Sequence, residues 1–342
     1  MSDAFGYALR HVASGAFLSA DAASAAFHAI MRGEVSEIRI SALLSALAVR
    51  RPTVEEITGA VLAMRAAMRT IRAPEGAIDV CGTGGDGLGT LNISTAVAFV
   101  VAGCGVPVAK HGNRNMSSRA GAADVLEALG VRIDLEPADA EVCLAETGFC
   151  FLFAPKYHPA MKHVASVRRE LGFRTIFNLL GPLSNPAGVR RQLIGVFSRD
   201  WIEPMASVLM QLGAEDAWVV HSADGMDEVS IAAPTDIAML HAAKIAYREV
   251  RPADAHLAQH TLDTIRGGDA QHNANAIREM LDGSHSAFRD IVVLNAAAAL
   301  IIAGKEADLH SAARMAEETI DSGRAKDVLA RAAVFSASPV IA

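Results

Sequence analysis

The chain has 342 residues, with 31 Lys and Arg against 38 Asp and Glu for a formal charge of −7. At roughly 150 residues per domain, that length suggests about two compact units. Hydrophobic residues at 51% and charged residues at 20% exclude wholesale disorder and collagen-like repetition. The acidic balance argues against a nucleic-acid or membrane surface spread over the molecule. Cys81, Cys104, Cys143 and Cys150 sit in apolar stretches without a CxxC pair, so they are expected as reduced core residues rather than disulfides or zinc ligands. The N-terminus shows no basic segment leading into an apolar run and cleavage site, and no uninterrupted apolar stretch of about 18 residues occurs. A soluble cytoplasmic protein with no nucleic-acid or membrane partner is expected.

From Ser19 to Arg72 the pattern is helical. Ser19 can cap a helix ending near Gly33, and Ser36 one running to about Val49. Thr53 with Glu56 has the capping-box spacing for a helix to about Arg72. Ile57, Val61, Met64 and Met68 form one apolar stripe on that last helix, fitting core or dimer surface. Residues 1–72 are thus expected as a small helical domain. After Ala73-Pro74-Glu75-Gly76 the texture changes to short apolar runs alternating with helical patterns, which predicts a second domain over 73–342 with a central, largely parallel sheet flanked by helices. Strands are expected at 78–81, 106–109, 193–197 and 218–221, and helices at 93–102, 120–129 and 290–302, the last Ala-rich and buried. The fold class is therefore α/β with a separate small all-α domain.

The first strand runs into Gly82-Thr83-Gly84-Gly85-Asp86-Gly87, where glycines permit positive φ and let backbone N–H groups turn toward one anion. A plain tight turn is the alternative. The string also satisfies G-x-G-x-x-G, but helix onset waits until about Asn92 and the second strand ends in Lys110-His111 rather than an acid, against a dinucleotide site. Asn92-Ile93-Ser94-Thr95 places an amide and two hydroxyls at a helix N-terminus, which favours negative charge even where simple capping is the other reading. Lys110 to Arg119 carries Lys110, Arg114 and Arg119 with no carboxylate, and suggests a second anion-binding loop as against a solvated basic turn.

A third positive region holds Lys156, Lys162, Arg168, Arg169 and Arg174. One arginine there suits a substrate carboxylate or phosphate in bidentate fashion. The strand at 218–221 leads into Ser222-Ala223-Asp224-Gly225-Met226-Asp227-Glu228, placing carboxylates at a strand's C-terminal edge. An Asp-rich turn is one reading; beside phosphate-type loops, hard oxygen ligands imply Mg²⁺ bridging protein to polyphosphate. In α/β sheets ligands gather outside the carboxyl ends of strands, where all these loops fall. With no G-x-S-x-G, H-E-x-x-H or Gly-Lys-Ser/Thr motif, a site for a magnesium-bound phosphorylated sugar remains.

At these residues the chain resembles the anthranilate phosphoribosyltransferases, over nearly its whole length. The resemblance rests on 79–86, 92–95, 110–118, His158-Pro159-Ala160-Met161-Lys162, 167–172, 174–182 and 224–228. It implies an α-plus-α/β architecture, with a segment near 165–190 joining the helical domain. It also implies transfer of the phosphoribosyl group of 5-phosphoribosyl 1-diphosphate (PRPP) to the amino group of anthranilate, in tryptophan biosynthesis. By the same resemblance Gly82, Gly85, Asp86, Thr90, Asn92, Ser94, Thr95, Lys110, His111, Gly112, Asn113, Arg114, Ser117 and Ser118 bind PRPP. Gly82, Asn113 and Arg168 meet anthranilate. Ser94, Asp227 and Glu228 hold magnesium, two ions per subunit, and the chain forms a homodimer through its N-terminal helices. No general base is assigned, because an aryl amine is already neutral near pH 7. Ala122 stands where many relatives carry a phosphate-binding serine, Asn115-Met116 replaces a more typical Ala-Val pair, and Ser166 stands where proline is common. The nearest rival is a paralogue with the same scaffold acting on a different acceptor, or a pyrimidine-nucleoside phosphorylase, whose loop shares a Lys-His-Gly-Asn string; a non-catalytic nucleic-acid-binding relative is a further one, disfavoured by the net charge.

Overall fold

A computed structural model of the protein describes residues 3–114 and 120–337. The chain opens with helices α1 (Ala4–Ala13), α2 (Ala20–Met31), α3 (Glu37–Arg50) and α4 (Val54–Ala66). Ser19 caps α2 through Ala22 N–H, and Thr53 with Glu56 forms the expected capping box. Sequence periodicity did not reveal α1, which Asp3 caps by accepting from Gly6 N–H at 2.8 Å. Helix α4 stops at Ala66 rather than near Arg72, because tertiary bonds take over the backbone: Arg69 N–H donates to Tyr157 O and Ile71 N–H to Pro186 O.

There follow β1 (Ile78–Gly82), α5 (Ile93–Gly103), β2 (Val108–Gly112), α6 (Ala122–Ala128), α7 (Pro137–Thr147), β3 (Phe149–Phe153) and the short α8 (Ala154–Tyr157). Helices α9 (Lys162–Leu171) and α10 (Phe177–Leu183) precede β4 (Arg191–Gly195), α11 (Ile202–Gln211), β5 (Asp216–Ser222), β6 (Thr235–His241) and β7 (Lys244–Val250). Helices α12 (Ala270–Leu281), α13 (Ala287–Ile302), α14 (Leu309–Asp321) and α15 (Arg324–Ala337) complete the described chain.

The seven strands form one sheet in the order β3-β2-β1-β4-β5-β6-β7. Strands β1 to β5 are parallel, while β6 and β7 are antiparallel additions. Alternating side chains send Val80, Leu193, Trp218 and Val220 into one core with α5 and α13. Cys81, Ile194 and Val219 point into the other, which the N-terminal helices, α9, α10 and α11 cover. Both faces are thus buried, the condition under which parallel sheets occur. All four cysteines are free, and among the described residues no helix is long and apolar enough to cross a membrane.

Two local expectations shift. Pro107 has no N–H for a ladder, so β2 starts at Val108 and runs to Gly112, taking Lys110 and His111 into the strand and onto opposite faces. The β6–β7 hairpin lacked a signal because its two-residue turn is Ala242-Ala243, both at positive φ (48° and 57°), positions that Asn and Gly normally fill. The double substitution Ala242→Asn with Ala243→Gly should therefore raise stability by about 1 kcal/mol, read as a higher Tm; an unchanged or lower Tm would contradict the assignment of strain.

Candidate functional site

Order in the sheet reverses between β1 and β4, the place where open α/β sheets form a crevice. Their last residues, Gly82 and Gly195, are register partners. The segment after β5 crosses over this pair. A Cβ on Gly82 would lie 2.6 Å from Asp227 Oδ2, and one on Gly195 would lie 1.5 Å from the Asp227 carbonyl oxygen. Only two missing side chains let the acidic segment descend onto the sheet edge.

The glycine turn closes on the same point. Thr83 N–H donates to Gly195 O at 2.9 Å, Phe197 N–H to Thr83 Oγ1 at 3.0 Å, and Gly84 N–H to Asp227 Oδ2 at 2.8 Å. Gly84 and Gly85 have φ of 69° and 80°, a left-handed region costly for any other residue. Thr90 pairs with Arg266 in an isolated antiparallel bridge, which ties the far end of the turn to the segment before α12.

Helix α5 begins at Ile93 with no side-chain cap on its N-terminus. Ser94 is shared: its backbone N–H favours the charged form of the Glu228 carboxylate, and its Oγ accepts from Lys110 Nζ at 3.1 Å. Lys110 is 2% exposed and also donates to Val80 O at 2.7 Å. Burial lowers its pKa, while Asp79, Cys81 and Glu228 oppose the shift. Burial raises Asp79, against the pull of Lys110 and a 2.7 Å bond from Asn185 Nδ2. Burial also raises Asp227 and Glu228, reinforced for Asp227 by Asp86 and for Glu228 by Asp227. Three crowded acids without a matching set of cations are a ready seat for positive charge.

Other expected residues are placed differently. Thr95 Oγ1 is buried without a hydrogen-bond partner. Asn92 Nδ2 donates to Ala120 O at 3.3 Å and its Oδ1 accepts from Asn273 Nδ2 at 2.7 Å. The His111 ring turns inward, to Gly181 O and His158 Nε2, both at 3.1 Å, so its side chain is not presented to a ligand. Gly112 gives room to Phe151, whose Cε2 would be 2.7 Å from a Cβ there. Asn113 is exposed, its Oδ1 accepting from Arg114 N–H. Arg114 does not offer a free cation: it pairs with Asp124 at 2.8 Å and Glu127 at 2.6 Å. Ser117, Ser118, Asn115, Met116 and Arg119 lie outside the described residues. Asp224 proves a turn residue, accepting from Met226 N–H and Ser230 Oγ.

Arg168 packs over Phe177 at 5.7 Å, and burial lowers its pKa. Its guanidinium makes no ion pair or hydrogen bond among the described residues. Ser166 Oγ donates to Glu37, linking α9 to α3 and explaining what replaces the proline. The sequence alone did not separate Arg174 from its basic neighbours; here it stacks 4.3 Å over Phe197 and donates to Gly85 O. Nor did it single out Asn273, which accepts from Gly268 N–H and orients Asn92.

The glycosyl transferase family's helical bundle domain matches residues 7–68 and its a/b domain residues 74–326. Anthranilate phosphoribosyltransferase of Azorhizobium caulinodans is 55% identical over 95% of this chain and 95% of its own length. The chain belongs to the anthranilate phosphoribosyltransferase family. Among solved structures, the Thermus thermophilus member superposes with a TM-score of 0.93 at 41% identity, covering 97% of this chain and 99% of that one. The Saccharomyces cerevisiae member in complex with PRPP and Mg superposes with a TM-score of 0.91 at 26% identity, covering 99% of both chains.

The geometry carries two expectations. Gly195→Ala must push the Asp227 backbone off the sheet edge, costing about 1–3 kcal/mol as overpacking does and most of the turnover; a variant with parental Tm and rate would contradict the close seat. Burial depresses His111 to about 3 and His158 to about 4, below the ordinary value of about 6.5. The unfolded chain therefore binds the extra protons first, so stability is lost as pH falls below about 6.5. Melts at pH 7 and pH 5 should show a Tm loss that shrinks in His158→Gln; an equal loss would contradict it.

Proposed function

We propose that the chain transfers the phosphoribosyl group of PRPP to the amino nitrogen of anthranilate, releasing pyrophosphate, with the diphosphate held between the glycine turn and the acidic segment. The observation that carries this reading is the joint of Gly84 N–H and Asp227 Oδ2 at 2.8 Å, which sets the glycine turn against the carboxylate pair. Gly82, Gly85, Asp86, Thr90, Asn92, Ser94, Thr95 and Lys110 then surround the phosphoribosyl group, with the backbone of 111–114 and with Ser117 and Ser118. Functionally the body comprises 1–72, joined by the 165–190 segment, and 73–342.

Ser94 Oγ and the Asp227 and Glu228 carboxylates are hard oxygen donors suited to magnesium, and burial together with their neighbouring acids raises the pKa of both carboxyl groups. Among the described residues no group of three His, Cys, Asp or Glu side chains could hold a metal unaided, so the diphosphate and water would complete the shell. Magnesium, when bound there, neutralises charge on the departing pyrophosphate. Two ions per subunit are proposed, as the family resemblance implies.

The glycine turn and the positive end of the α5 dipole face the charge that accumulates on the leaving group as the ribose gains oxocarbenium character. Lys110 fixes Ser94. The unpartnered Arg168 receives the anthranilate carboxylate in bidentate fashion, with Asn113 and Gly82 beside it, and this orients the neutral amine toward C1. No residue needs to remove a proton before the barrier.

Exposed apolar side chains on the helical unit, Phe17 at 62%, Ile38 at 81% and Val49 at 89%, support a homodimer through this surface. The free cysteines support a reducing, cytoplasmic setting. The deciding assay is loss of anthranilate fluorescence on mixing with PRPP and Mg²⁺; no change beside an active control enzyme would remove the assigned acceptor. Glu228→Ala should abolish magnesium-dependent turnover. Arg168→Ala should raise the KM for anthranilate about ten- to a hundredfold, the loss expected for a bond to a charged group, with kcat less affected; an unchanged KM would reassign the carboxylate's partner.

A further inference from the structure

Beyond Glu228 the chain runs through the interior without belonging to any strand. Val229, Ser230 and Ile231 are fully buried yet lie between β5 and β6, so their peptide groups need partners from elsewhere. Ser230 N–H donates to Thr235 Oγ1 at 3.0 Å. Val229 is met on both sides by a single side chain. Its N–H donates to Asn295 Oδ1 at 2.9 Å, and Asn295 Nδ2 donates to its carbonyl at 2.8 Å. The same Nδ2 donates to Ile291 O, one turn back in α13, at 2.9 Å. The amide can take only this orientation, because a peptide N–H must donate and both carbonyls must accept.

Asn295 is 0% exposed, among Ile291, Val292, Leu294, Ala296 and Ala299 of the same helix. An amide in such a run is a weak helix former and costly to bury unless fully bonded. Packing of α13 against α5 requires no polar atom there. The bonds it makes serve instead the residue that follows the acidic pair. On the other flank, Ser222 N–H donates to Met226 O at 3.0 Å, and Asp227 sits on Gly82 and Gly195.

We propose that Asn295 is a positioning residue for the metal-binding carboxylates: by clamping both peptide groups of Val229 it holds Glu228 against Ser94 and Asp227 against the glycine turn. The assignment rests on the magnesium and diphosphate reading of the site. Groups that orient metal ligands in this way change metal affinity by about 10–100-fold when removed. Asn295→Ala, and Asn295→Ser if the alanine variant does not fold, remove the clamp without touching the carboxylates. Asp321→Asn is the control, because it strips the buried Arg289 of the same helix of its ion pair and destabilises α13 away from the site.

The measurement is calorimetric titration of Mg²⁺ with inorganic pyrophosphate into each full-length protein, alongside the Mg²⁺ dependence of turnover. Asn295→Ala or Asn295→Ser should weaken pyrophosphate binding at fixed Mg²⁺ by at least about tenfold. Turnover in that variant should recover largely at high Mg²⁺, and Asp321→Asn should stay within about twofold of the parent. Parental affinity in both Asn295 variants, or an equal loss in Asp321→Asn, would overturn the positioning role alone. Absence of Mg²⁺-dependent pyrophosphate binding in the parent would overturn the site assignment, and the role of Asn295 with it.

Discussion

Where β1 and β4 end side by side, two glycines leave a floor on which the Asp227 backbone rests. Gly195 would place a Cβ within 1.5 Å of the Asp227 carbonyl oxygen, a contact no side chain survives. The close seat lets Asp227 Oδ2 accept from Gly84 N–H and brings Glu228 to the first turn of α5. The turn, the helix N-terminus and the acidic segment come from three regions of the chain, and one steric allowance joins them.

Charge is organised around that seat. Carboxylates of Asp86, Asp227 and Glu228 crowd together, and Lys110 is drawn below them by Ser94 and Val80 O. Lys110 favours the charged form of Glu228, while two other cations are placed elsewhere: Arg114 is held by Asp124 and Glu127, and Arg168 lies over Phe177. Like charges held close in a partly dry crevice lift one another's pKa. Such a site gains most from ligands that bring their own divalent ions.

The protein holds these groups with neutral amides as much as with ion pairs. Asn185 bonds both Asp79 and Ala109 O between β1 and β2, Asn273 orients Asn92, and Asn295 closes on Val229. A buried amide satisfied on both sides is directional and neutral, so it fixes a backbone without adding to the field at the acids.

Local composition was enough to reveal the capped helices at Ser19 and Thr53, the βα alternation after Gly76, the glycine turn and the acidic segment, because caps, periods and turn chemistry act over a few residues. It could not choose between Asp224 and its neighbours, since Asp224 is consumed by Ser230 and Met226 only once the turn closes. It offered Arg114 as a phosphate ligand, and the fold spends that charge on α6. The antiparallel β6–β7 hairpin stayed hidden behind an Ala-Ala turn. Asn295 gave no signal in its Ala-rich helix, because its partner is 66 residues away. The sequence by itself determined which groups are available and the elements that carry them. Only the tertiary structure decided which of those groups meet, because contact depends on sheet register and on clearances such as that above Gly195, which no local pattern encodes.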